Sequence, residues 1–319
     1  IMREQLKAID RRRVFGAVAA TALAARAASL WPSRLAWCNA RSIHKWKDLE
    51  ALVVSDGHFL LPLGFLVAPD APAAERELAL TAAGQRGEQL QLMNNITVIR
   101  SHSDVILVDA GTGPRHQSTA GKVAENLQVA GIPPAAITKV VLTHGHPDHL
   151  WGILDASDSL TYPNASYILA AAEWDLWADP ELMQKLPAAL PKDRIVSGAK
   201  QHLARIKDKV RTVRHGDEIV AGVRVVATPG HTPGHISVEL AGGDGLIIAG
   251  DALTHEVISF RHPSWQVPVD HEPDRGISTR LRLLDRLVTD KRRLACAHLP
   301  FPGTGVVERS NGAYRFVPT

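Results

Sequence analysis

The stretch "VVLTHGHPDHLWG", residues 140–152, places His144, His146, Asp148 and His149 within six positions of one another, directly after an apolar run. The segment "ITKVVLTHGH" (137–146) reads as a fully buried strand running into this motif, with His144 and His146 pointing the same way by strand alternation. Gly145 and Pro147 then bend the chain, and that turn swings Asp148 and His149 towards the same space. One tetrahedral ion would be oversupplied by such a loop, so two metals sharing it is the more natural stoichiometry. Imidazole mixed with carboxylate suits zinc and similar divalent ions.

Three further apolar strands end in single candidate ligands. "TPGHTPGH" (228–235) carries His231 on a Pro/Gly loop, "LIIAGDAL" (246–253) ends in Asp251, and "LACAHLPFPG" (294–303) ends in His298. A pure core explanation does not predict a potential ligand at the end of each strand.

The surrounding sequence is ordinary for a globular chain. It has 319 residues, 45% hydrophobic and 22% charged, enough to bury a substantial core. The net charge of +3 has a local origin, because residues 1–40 hold seven basic side chains against two acidic ones and the remainder is slightly acidic. That balance offers no electrostatic footprint for nucleic acid. The N-terminal "DRRRVFGAVAATALAARAASL" is similar to a twin-arginine export signal with Arg12-Arg13-Val14-Phe15 at its core, which implies a periplasmic or secreted protein, or a cytoplasmic one if the signal does not function. Arg26 interrupts its apolar part, so a stable membrane span is not expected. The domain is expected over 41–319. Cys38 and Cys296 are the two cysteines, and with the first in the signal no thiolate cluster remains, which leaves metal binding to His and carboxylate.

Along that domain, "LEALVVSDG" and "FLLPLGF" read as two short strands joined by a turn at Asp56-Gly57. "NNITVIRSHSDVILVDAG", "ISVELAGGDGLIIAGD" and "GVVERSNGAYRFVP" read as hairpins. Amphipathic helices are expected in "GKVAENLQVAG", "AAEWDLWADPELMQKL", "DRIVSGAKQHLARIKDK" and "DRGISTRLRLLDRLVTDK". Strands and helices interleave without a linker, which points to one α+β domain with sheets inside and helices outside.

The H-x-H-x-D-H loop, the His of "TPGH", the Asp of "AGD" and the C-terminal His together resemble the metallo-β-lactamase-fold hydrolases. The likeness covers roughly residues 50–318. It implies an αββα sandwich of two mixed sheets flanked by helices. His144, His146 and His231 would hold one metal, and Asp148, His149 and His298 the other, with Asp251 bridging. "SDG", "ILVDAGTG", "AHLPFPGTG" and "GAYRFVP" are further similar to the methyl parathion hydrolase-like group. Where that group lines its pocket with aromatic residues, this chain has Trp177, and His116 stands where an aromatic is expected.

The resemblance implies two divalent ions per chain, zinc foremost, with Mn2+, Fe2+ or Co2+ as other candidates. A metal-bridging hydroxide would attack an ester, lactone or phosphotriester, with Asp148 and Asp251 orienting it and Asp148 accepting a proton. The same fold hosts β-lactamases and glyoxalase II-type thioesterases, and also iron-dependent oxidoreductases. A binding protein without activity is disfavoured by seven intact ligand positions. The partner is expected to be a small-molecule substrate, and the resemblance implies a homodimer.

Asp109 is expected to orient a ligand imidazole, and His235 and Trp177 to lie behind the ligands or in the pocket. His255 could face the pocket or the surface. Trp151 and Trp174 are candidate walls. His44, His58, His102, His202, His215, His262 and His271 lack ligand context and read as surface or structural.

Overall fold

A computed structural model describes residues 40–65, 68–85 and 87–319. The export-signal reading, placed on residues 1–40 and including Cys38, lies outside them except for Ala40. Among the described residues no helix is long and apolar enough to cross a membrane.

The first half of the chain builds β1 (Ala40–Trp46), β2 (Leu49–Pro62), α1 (Ala73–Ala82), β3 (Gln89–Ser101), β4 (Asp104–Val108), α2 (Val123–Val129) and β5 (Lys139–Val141). It continues with α3 (Pro147–Leu150), β6 (Ser166–Ala170), α4 (Ala171–Ala178), α5 (Leu182–Lys185), α6 (Lys192–Ile206) and β7 (Val210–Val213). The second half adds β8 (Glu218–Val220), β9 (Val223–Ala227), β10 (Ile236–Leu240), β11 (Leu246–Ile248), a π-helical turn at Glu256–Arg261, and α7 (Pro273–Thr289). It ends with β12 (Arg293–Ala295), β13 (Thr304–Ser310) and β14 (Ala313–Pro318). Seven strands pair in the order β1 to β7, and the other seven in the order β14 to β8, so each half of the chain makes one mixed sheet.

Alternation along the strands explains the layering. On β2, Ala51 and Val53 join the core between the sheets with Ile99, Val141, Ile168, Val225, Ile236 and Val238. Their neighbours Leu52 and Val54 face the opposite way, towards α2 and α6, through Val123, Leu127, Ile195 and Leu203. The second sheet does the same with α7, where Ile247 and Leu294 meet Leu283, Leu284 and Leu287. The result is helix, sheet, sheet, helix.

Two local expectations are corrected. Asp56-Gly57 is no reversing turn: β2 is one 14-residue strand with a bulge between Ser55 and Gly57. Gly57 takes φ +104°, and a Cβ there would sit 2.1 Å from the Thr119 carbonyl oxygen, so the chain bends without turning back. The Asp56 carboxylate fills the bend by accepting from Thr112 N (2.8 Å) and Val123 N (3.1 Å). The strand before the opening motif is also shorter than expected, ending at Val141, so His144 and His146 stand on a loop beyond it.

Candidate metal centre

The C-terminal ends of β5, β9, β11 and β12 meet at one edge of the sandwich, and the segments leaving them carry the seven expected ligands. Among the described residues two groups converge. His144, His146 and His231 form one, and Asp148, His149, Asp251 and His298 the other, with ligand atoms inside each within 4.8 Å of one another. Asp251 stands between them. Its Oδ1 lies 3.2 Å from His149 Nε2 and 3.1 Å from His298 Nε2, while its Oδ2 lies 3.3 Å from His231 Nε2. Asp148 Oδ2 is 3.2 Å from His149 Nε2 and 3.3 Å from His298 Nε2.

Most of the imidazoles are fixed from behind through Nδ1, which leaves Nε2 facing inward. His149 donates to Asp109 Oδ2 (2.8 Å), His231 to Asp270 Oδ1 (2.9 Å) and His298 to the Met93 carbonyl (2.9 Å). His144 Nδ1 is 3.1 Å from Thr143 Oγ1. His146 differs, since its Nδ1 is 2.9 Å from His231 Nε2. Among the described residues, His144 Nε2, His149 Nε2 and Asp251 Oδ1 are buried without a hydrogen-bond partner. Unpaired buried polar atoms are costly, and these three all face the common space, so the donor set fits divalent cations.

The electrostatics follow from burial and crowding. Burial pushes the His144 and His146 imidazoles well below their usual range, and neighbouring imidazoles add to this. Burial opposes ionisation of Asp251, yet His298, His149 and His231 overcome it and hold its carboxyl well down. Asp148 is lowered in the same way against burial, by His149 and His298. Burial likewise opposes protonation of His298, but Asp251 and Asp148 raise it to about 10.

The other expected residues fall as follows. Asp109, at φ +65°, also accepts from Thr143 N (2.7 Å) and Thr143 Oγ1 (3.0 Å). His235 Nε2 accepts from the Asp251 backbone N–H (2.9 Å), and His235 Nδ1 lies 2.8 Å from Thr228 Oγ1. His255 is buried and caps the π-helical turn, accepting from Val257 N. Trp177 is not in the pocket wall. Its indole N–H donates to Glu173 (2.7 Å), and the ring packs beneath the loop at Gly145, edge-on to His146 at 6.1 Å. Trp151 stacks on His202 and meets His116 edge-on.

Several residues of the site had no part in the sequence reading. Asp270 holds His231 and is itself beside Arg280 (3.4 Å), both buried. Asn94 donates to the Asp148 carbonyl (2.9 Å), and Asn95 donates to the carbonyls of Cys296 and Leu299 (3.2 and 2.7 Å). His271, read as surface or structural, has Nε2 3.4 Å from His146 Nε2. Glu173 lies buried under the first loop. Its spacing to Trp177 on an apolar helical face was the available signal for a buried acid.

A cavity of about 260 Å³ opens directly onto Asp148, Asp251, His146 and His298. Phe59, Leu61, Phe65, Leu92, Ile195 and Val269 make it largely apolar, and His116, Gln117 and Arg194 supply polar groups.

An αββα sandwich with a histidine–aspartate cluster at the edge where its strands end defines a metal-site fold. The metallo-beta-lactamase superfamily matches residues 90–298, and the chain belongs to it. It is 27% identical to metallo-beta-lactamase domain-containing protein 1 of Xenopus laevis, over 62% of this chain and 69% of that protein. Among solved structures it is similar to AidC, a dizinc quorum-quenching lactonase in complex with a product N-hexanoyl-L-homoserine. The TM-score is 0.82 and the identity 26%, over 88% of this chain and 97% of that one. It is also similar to the hydrolase AbOPH of the beta-lactamase superfamily, with TM-score 0.80 and 28% identity over the same shares.

Proposed function

We propose that this chain is a binuclear metal-dependent hydrolase of lactones or related esters bearing an apolar chain. The observation that carries the reading is Asp251, which turns one carboxylate oxygen to each half of the ligand cluster beside an apolar pocket. His144, His146 and His231 would hold one cation, and Asp148, His149 and His298 the other, with Asp251 shared. Two divalent cations there, zinc by the donor set, would supply Lewis acidity and a water-derived nucleophile near neutral pH for attack at a carbonyl carbon or phosphorus.

The chain's own groups do the rest. Asp148, with a side chain 17% exposed, faces the pocket and would accept the proton given up by the attacking water. The apolar wall would seat the acyl part and exclude bulk water, which strengthens the electrostatics inside. His116 and Arg194 would meet the polar part of the substrate. Among the described residues a thiol mechanism has no support, because Cys296 is buried, donates to the Leu253 carbonyl, and has its thiol pushed up by burial. The dizinc lactonase among the structural neighbours supports the lactone reading over the phosphotriester one.

The test is metal analysis of the purified protein, followed by assay against lactones of graded chain length, p-nitrophenyl esters and methyl parathion. About two cations per chain, with lactones or esters turned over best, is the expected result. Fewer than two cations per chain after zinc or manganese reconstitution, or activity unchanged in Asp251→Ala, would refute it.

A further inference from the structure

We infer that Glu173 is a positioning residue for the histidine-rich half of the site, clasping the loop of His144 and His146 to the loop of His231. The inference rests on the metal reading proposed above. Glu173 is fully buried at the start of α4. Its Oε1 accepts from Gly145 N (2.9 Å) and from Trp177 Nε1 (2.7 Å), and its Oε2 accepts from Thr232 Oγ1 (2.6 Å). Gly145 separates His144 from His146, and Thr232 follows His231. One carboxylate therefore ties two loops that are 85 residues apart when counted between His146 and His231.

Both loops are pressed against α4 closely enough to exclude a side chain. A Cβ on Gly145 would lie 2.2 Å from Trp177 Nε1, and one on Gly234 would lie 2.1 Å from Glu173 N. Three donors converge on this carboxylate in a place without exposure, so an apolar replacement would strand the Gly145 and Trp177 N–H groups. The other half of the site is held by different groups. His149 rests on Asp109, His298 on the Met93 carbonyl, and the Asp148 backbone on Asn94. Loss of Glu173 should therefore loosen one cation position and leave the other.

The experiment titrates metal-free full-length protein with zinc against a chromophoric chelator, and with Co2+ followed by its absorption, for the wild type and three variants. Glu173→Ala should weaken one cation by about tenfold to a hundredfold, the usual cost of losing the support behind a metal ligand, and spare the other. Glu173→Gln keeps an acceptor for Gly145 and Trp177 and should recover most of that loss. Thr232→Val cuts the Oε2 contact alone and should show a smaller loss at the same cation. Equal binding of both cations by Glu173→Ala and wild type overturns the inference. So does parallel weakening of both cations with the melting temperature of the metal-free protein, which is what a merely structural role would give. Should Glu173→Ala not fold, wild-type affinities in Thr232→Val overturn it equally. A wild type that takes up fewer than two cations overturns the metal proposal itself, a result seen before any variant is compared.

Discussion

Asp109→Asn separates the electrostatic support of the site from its shape. Asp109 is 3% exposed and accepts from Thr143 N, Thr143 Oγ1 and His149 Nδ1 at 2.7, 3.0 and 2.8 Å. Its left-handed backbone, φ +65°, is one that asparagine adopts readily, and the side-chain volume is nearly unchanged, so no strain or cavity is introduced. The amide oxygen can still accept from Thr143 N, which turns the amide nitrogen towards His149. Two donors then face each other unless His149 moves its proton to Nε2, the atom needed inward. Supporting partners of this kind change metal affinity by about 10- to 100-fold. That is about 1.4–2.7 kcal/mol. Chelator competition at neutral pH on metal-free protein reads the affinity, and thermal melting checks the fold. Wild-type affinity in a folded Asp109→Asn protein would refute the reasoning.

Burial takes the His255 imidazole from its usual 6.5 down to about 4, so the folded state stays neutral where the unfolded chain picks up a proton. Its stabilising contribution is therefore full above pH 6.5 and is lost as pH falls towards 4; at about 1.36 kcal/mol per pKa unit the loss is roughly 3 kcal/mol. Urea unfolding from pH 7 to pH 4.5 should show a shallower decline in His255→Asn, which can still accept from Val257 N, and parallel declines would refute this. Asn95→Ala removes the donor to the Cys296 and Leu299 carbonyls and should cost about 1–3 kcal/mol in urea unfolding; an unchanged midpoint would contradict the role. Val269→Phe fills part of the apolar cavity and should raise KM for long-chain substrates more than for short ones, whereas a uniform change across the chain-length series would place the acyl part elsewhere.

The seven candidate ligands were legible because each stands directly after an apolar strand in a short loop of Gly and Pro, and such residues cannot be explained as core. Hairpins and amphipathic helices were legible for the same local reason, a period of 2 or 3.6. The bulge in β2 was not, since Asp56-Gly57 signals a turn locally and only the packing of Gly57 against Thr119 makes it a bend. Nor, apart from Asp109, were the groups that hold the ligands. Asn95 bonds to Cys296 across 201 positions, Asp270 to His231 across 39, and Glu173 to Thr232 across 59. The sequence by itself determined which side chains are the candidate ligands and that they sit at strand ends. The tertiary structure alone decided how they are divided and aimed, because hydrogen bonds between distant loops leave no periodic trace in the chain.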